Sequence, residues 1–219
     1  MAQTTFDAAY TGEKTTLDSA ALTYAHTVTA AGSNRFLLVC ANIWLGPAPT
    51  VTGITYNGTS MTLVASINLG GGSNNASLYI YGLVNPATGT HNVVISVDGN
   101  CKIGAVSSSC ITVDQTTPVP YYTIQHVGSQ DLTVPTNSAD LTIDCGIGTT
   151  YGASQTENGS VAGARATYSS RKTAGIGNTE MSQSGGSDCA YAVLDIACST
   201  PNSDATARIA PRALLGVGI

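Results

Sequence analysis

VTGITYNGTSMTLVASINL, residues 51–69, is an alternation of apolar and polar residues broken once, at Asn57-Gly58. Asn-Gly between two such runs is the strongest short signal for a two-residue type I′ turn. Both central residues must accept φ > 0, and the primed turn matches the twist of the strands it joins. This register sets Tyr56 opposite Thr59, Ile54 opposite Met61 and Thr52 opposite Leu63. Ile54, Tyr56, Met61 and Leu63 then share an apolar face, while Gly53, Thr55, Ser60 and Thr62 share a wet one.

The same grammar recurs along the chain. ALTYAHTVT, RFLLVCANIW, ASLYIYGLV, HNVVISV, KIGAVSSSCITV, PYYTIQHV, ADLTIDCGIG and CAYAVLDIAC are strand-like runs separated by turn residues, and no long stretch has the 3.6-residue apolar period of a helix. An all-β, antiparallel β-sandwich of a single domain over residues 1–199 is the expected architecture. The polar, Gly/Ser-rich segment 148–188 reads as weak edge strands and long loops within that domain, since the one good strand after it is too little for a second domain. Residues 200–219 form an apolar, proline-interrupted tail. Its Leu214, Leu215, Val217 and Ile219 would make an adhesive patch if left bare, so they are expected to contact a partner chain.

Composition narrows the function. Charged residues make up 10% of the 219, against about 25% in a typical chain, and the net charge is −5. The eight Lys and Arg are scattered, so the basic stripe that nucleic acid requires is missing and no nucleic-acid partner is expected. The N-terminal stretch MAQTTFDAAYTGEKT lacks the basic and apolar regions of a signal peptide. No apolar run approaches the roughly 18 residues that span a bilayer, so a membrane partner is not expected and synthesis in the cytoplasm is.

The six cysteines contain no CxxC pair. In an extended CKIGAVSSSCI strand, Cys101 and Cys110 lie about 30 Å apart, beyond the roughly 7 Å Cα separation of a disulfide. Cys145 shares a face with Leu141, Ile143 and Ile147, and Cys198 with Leu194 and Ile196, so both read as buried thiols. Cys101, beside the polar turn Asp98-Gly99-Asn100, reads as the most exposed. With Cys110 and Cys189 it forms the candidate set for structural or inter-chain disulfides.

Signals for catalysis, metals or cofactors are weak. His26, His91 and His126 stand alone at positions that suit a surface or strand edge. No GxSxG elbow accompanies the many serines. Asp140 and Asp144, about 13 Å apart along one strand, suit a solvated face better than a glycosidase pair. No catalytic residue, cofactor or metal is expected. Trp44, Tyr56, Tyr79 and Tyr81 read as core or rim, which leaves Tyr121 and Tyr122 as the aromatic pair that could contact a glycan.

In order, NRFLLVCANI, VTGITYNGTSMTLV, SLYIYGLVNPATGTHNVVISVDG, AVSSSCITVDQTTP and SADLTIDCGIG resemble a β-sandwich module of phage virion proteins and bacterial surface proteins, over about residues 34–198. The resemblance implies a jelly-roll-like sandwich acting in assembly, display or adhesion, and it carries no catalytic residues. The expectation is a virion structural protein of a tailed phage: a capsid decoration (cement) protein or a neck or tail accessory protein. It would be a homo-oligomer bound to the major capsid protein or another virion protein. The alternative is a receptor- or carbohydrate-binding adhesion module.

Overall fold

The computed structural model describes residues 2–14, 20–29, 31–44, 49–70, 76–126, 130–162 and 166–199. The four tail residues expected to meet a partner, Leu214, Leu215, Val217 and Ile219, lie outside that set. The described residues form strands and no helix: β1 (Thr5–Lys14), β2 (Ala21–Val28), β3 (Phe36–Trp44), β4 (Val51–Tyr56), β5 (Thr59–Ser60), β6 (Thr62–Asn68), β7 (Ala76–Val84), β8 (Gly89–Val97), β9 (Lys102–Ile111), β10 (Tyr122–His126), β11 (Gln130–Thr136), β12 (Leu141–Tyr151), β13 (Thr156–Val161), β14 (Thr167–Thr173) and β15 (Gly177–Ile196).

They make three antiparallel sheets packed as a sandwich. The five-stranded sheet runs β1-β9-β3-β7-β6, the small sheet β2-β8-β4-β5, and the large sheet β10-β15-β12-β14-β13 with β11 also on β15. The five-stranded sheet lies in the middle, and β3, FLLVCANIW, shows why. A strand covered on both faces has no wet side, so its sequence is a continuous apolar run rather than an alternation. Leu37, Val39, Ala41 and Ile43 pack with Ile54, Tyr56, Val93 and Ile95 of the small sheet. Phe36, Leu38 and Cys40 pack with Leu141, Ile143, Cys145, Ala192 and Leu194 of the large one. The sandwich expected from the sequence is present with a third layer, and the strand orders do not establish a jelly roll.

The opening hairpin holds at its turn and fails beyond it. Asn57 and Gly58 take φ of 49° and 74°, and Tyr56 pairs with Thr59. Met61 still donates its N–H to the Ile54 carbonyl, at 2.9 Å, and packs into the core. The expected Thr52–Leu63 pair does not form, because the chain then crosses to the middle sheet, where Leu63 pairs with Tyr81 and is 48% exposed. A bulge between Leu63 and Ala65 adds one residue to β6 and breaks the simple alternation there.

Residues 148–188 are more ordered than weak edges and loops. They supply β13, β14 and the first part of β15, and β14 lies inside the large sheet between β12 and β13. The twenty-residue β15 pairs with β12 along both its parts, across an irregularity between Ile147 and Thr149, with β10 through its second part and with β11 through its first. Met181 from the first part meets Tyr191 and Val193 from the second, together with Leu132, Val134 and Tyr168. The strand therefore curls over the outer face of its own sheet and closes a small core there.

Candidate functional site

Most residues singled out from the sequence lie apart. Cys40 and Cys145 form a disulfide with Cα atoms 6.1 Å apart, tying the middle sheet to the large one. The reading of Cys145 as a buried thiol is thus corrected: the stacking of layers sets it opposite a cysteine 105 positions away. Cys101, Cys110 and Cys189 are buried and outside the disulfide, and Cys101 is not the exposed residue expected, because it packs under the small sheet. Burial pushes the Cys110 thiol up to about 12, so it is protonated and unreactive at neutral pH. Tyr122 is 46% exposed and Tyr121 half-buried.

The polar residues expected at the surface are the larger surprise. Asp140 and Asp144 are both buried. Asp140 closes the turn before β12 by accepting the Asn137 N–H at 2.8 Å and the Cys198 N–H at 2.9 Å. Asp144 sits mid-strand on the face turned away from the middle sheet, between Ile143 and Cys145, which point into the larger core. Curling of β15 over this face buries what the alternation would otherwise leave wet.

Asp144 is the hub of a network drawn from three strands and a turn. Oδ1 accepts the Ser170 backbone N–H at 2.6 Å and the Ser170 hydroxyl at 2.7 Å. Oδ2 accepts the Gln155 Nε2–H at 2.6 Å and the Tyr191 hydroxyl at 3.0 Å. Gln155 Nε2 is also 2.7 Å from Ser170 Oγ, and Gln155 Oε1 accepts the Ser182 backbone N–H at 2.8 Å and its hydroxyl at 3.3 Å. The acceptor demand of Asp144 and the donor at Ser182 N fix which end of the Gln155 amide is which. The turn leading into Gln155 brings Gly152 against β15. A Cβ at Gly152 would come within 2.0 Å of Ser182 Oγ and 3.0 Å of Gln155 Oε1, so a side chain there would push the Ser182 hydroxyl out of the network.

Burial pushes the Asp144 carboxyl up to about 6, and the donors from Ser170, Tyr191 and Gln155 pull the other way. It is therefore a carboxylate at neutral pH with the basicity of a group suited to taking a proton. Burial also raises the Tyr191 hydroxyl, with the neighbouring carboxylate adding to the effect, so Tyr191 stays a neutral donor. Tyr168 stacks on Tyr191 at 6.4 Å between ring centres and closes the cluster on one side.

A second buried polar group lies between the middle and small sheets. His26, expected at a surface or edge, is fully buried, with Nδ1 2.8 Å from Ser107 Oγ and its ring edge-on to Tyr10 and Tyr56. Burial pulls its pKa down to about 4, against a smaller opposing pull from Asp7, so the ring is neutral. Asp7 is engaged elsewhere, accepting from Ser109 and from Thr29. Ser107 is fully buried, so this Ser–His contact presents no nucleophile to an outside substrate.

Gln155, Ser170, Ser182 and Tyr191 carry no motif that would single them out in the sequence. One signal is present: Asp144 is the single charged residue in the run LTIDCGI. No group of three or more potential metal ligands occurs among the described residues. Comparison of the chain with family models, curated proteins and solved structures found no match.

Proposed function

We propose that the chain is a non-enzymatic structural protein of a tailed-phage virion, a capsid decoration protein or a neck or tail accessory protein, acting as an oligomer through subunit contacts. One observation carries the reading. Asp144, His26 and Ser107, the groups with the chemistry of a catalytic site, are buried and bonded to their neighbours, as suits a rigid scaffold. The Cys40–Cys145 link between two layers and the resemblance to virion modules support the same reading. Function in such a protein is mechanical: burial of its surface against neighbouring subunits stabilises the assembly by mass action.

The test is to fractionate native source material on a density gradient and locate the chain by peptide mass spectrometry. Comigration with particles at hundreds of copies each is expected of a decoration protein, and a few copies each of a neck or tail protein. Recovery in the soluble fraction alone overturns the virion reading. A second reading, glycan or receptor binding, rests on Tyr122, an exposed aromatic beside the half-buried Tyr121. It requires binding on a glycan array that Tyr122→Ala abolishes.

A further inference from the structure

We propose that the chain modifies itself: Ser170 Oγ attacks the side-chain amide of Gln155, assisted by Asp144, to form an internal ester that ties β14 to the turn preceding β13. The hydrogen-bonded network is the resting arrangement from which this step starts. Four requirements of acyl transfer meet at one point. The nucleophile is the Ser170 hydroxyl, which already donates to Asp144 Oδ1 at 2.7 Å. The electrophile is the Gln155 carboxamide carbon: Nε2 donates to Ser170 Oγ at 2.7 Å, which holds Oγ beside the amide, and a turn of the amide plane about its side chain brings Oγ over Cδ. The donors for the developing oxyanion are the Ser182 N–H and hydroxyl, both directed at Gln155 Oε1. The base is Asp144, held in place by Tyr191.

The step balances without a co-reactant. As the Oγ–Cδ bond forms, Asp144 takes the Ser170 proton and negative charge gathers on Oε1, facing Ser182. Asp144 then passes that proton to Nε2, the Cδ–Nε2 bond breaks, and ammonia leaves. The carboxylate is regenerated, and nothing is oxidised or reduced. Asp144 and Ser170 are fully buried and Gln155 is 8% exposed, so water is kept from competing with Ser170 and from hydrolysing the ester. Escape of ammonia into bulk solvent draws the reaction forward. The protein is its own single-turnover substrate, which agrees with a fold that seals the site, and the inference does not depend on what the protein assembles with.

Intact mass spectrometry of the full chain, with its disulfide reduced, tests this. The expected mass is roughly 17 Da below that of the sequence, the loss of one ammonia in acyl transfer to the hydroxyl. Ser170→Ala is expected to restore the full mass, and Ser169→Ala to keep the loss. Trypsin cleaves after Arg165 and Arg171, so the peptide ATYSSR should be found joined to the peptide containing Gln155 and should be released by hydroxylamine. A wild-type mass equal to that of the sequence overturns the proposal. So does a loss that persists in Ser170→Ala, or one that maps to Asn57-Gly58, where a succinimide also expels ammonia. If Ser170→Ala does not fold, the wild-type peptide map alone decides.

Discussion

The two sides of the molecule are held by different chemistry. Between the middle and small sheets, Leu37, Val39, Ala41 and Ile43 meet Ile54, Val93 and Ile95, an apolar contact in which each side chain contributes separately. On the outer face of the large sheet, a carboxylate, an amide, two serines and a tyrosine satisfy one another. Apolar packing degrades by increments, since a smaller side chain loses only its own buried area and leaves a cavity. A buried polar network fails as a unit, because removing one member strands the partners it satisfied. The side whose sequence looks most soluble is therefore the less forgiving one.

The sharpest way to break this contrast is Asp144→Ala. It strands the Ser170 N–H and the Tyr191 hydroxyl that Asp144 accepts, and a loss of about 4 kcal/mol is expected in urea denaturation. Ile54→Ala, on the apolar side, is expected to cost about 3 kcal/mol. If Ile54→Ala costs clearly more than Asp144→Ala, the contrast falls. Replacing Cys40 and Cys145 together by Ala is expected to remove about 2–5 kcal/mol, since a crosslink over 105 positions restrains a long loop in the unfolded chain. An equal loss on adding reductant to the wild type would check it.

The pH dependence sets the two buried polar groups against each other. Asp144, raised from 3.8 to about 6 on folding, makes the native state bind more protons, so its contribution falls as pH rises from about 4 to 6. His26, lowered from 6.5 to about 4, makes the unfolded state bind more protons, so its contribution rises with pH across nearly the same window. The two contributions therefore oppose each other in the wild type. Melting profiles between pH 4 and 6.5 should tilt upward with pH in Asp144→Asn and downward in His26→Gln. A variant profile parallel to the wild type would show that the altered group does not titrate as stated. The smallest effect is expected at the opening turn. Gly58→Ala adds a Cβ with no neighbour within 4 Å but at φ of 74°, so only backbone strain is felt, about 1 kcal/mol in thermal unfolding.

The Asn57-Gly58 turn and the strand character of β2 and β3 were legible because each is a local statement about φ or about residues a few positions apart. The departures share one cause. Leu63 left its hairpin, Cys101 and His26 went inside, Cys145 found Cys40, and Asp144 was covered by a strand that begins more than thirty positions further on. In each case a period-two pattern says which residues share a face but not what lies against that face.

The sequence by itself determined that the chain is all-β and antiparallel and where its central hairpin turns. Backbone dihedral limits and the two-residue period operate within a few positions of each residue and need no knowledge of the rest. Only the tertiary structure decided that there are three layers, that Cys40 faces Cys145, and that Asp144, Gln155, Ser170, Ser182 and Tyr191 meet. Those outcomes depend on how sheets stack and on how far β15 curls, and burial is a property of the assembled layers, not of any segment within them.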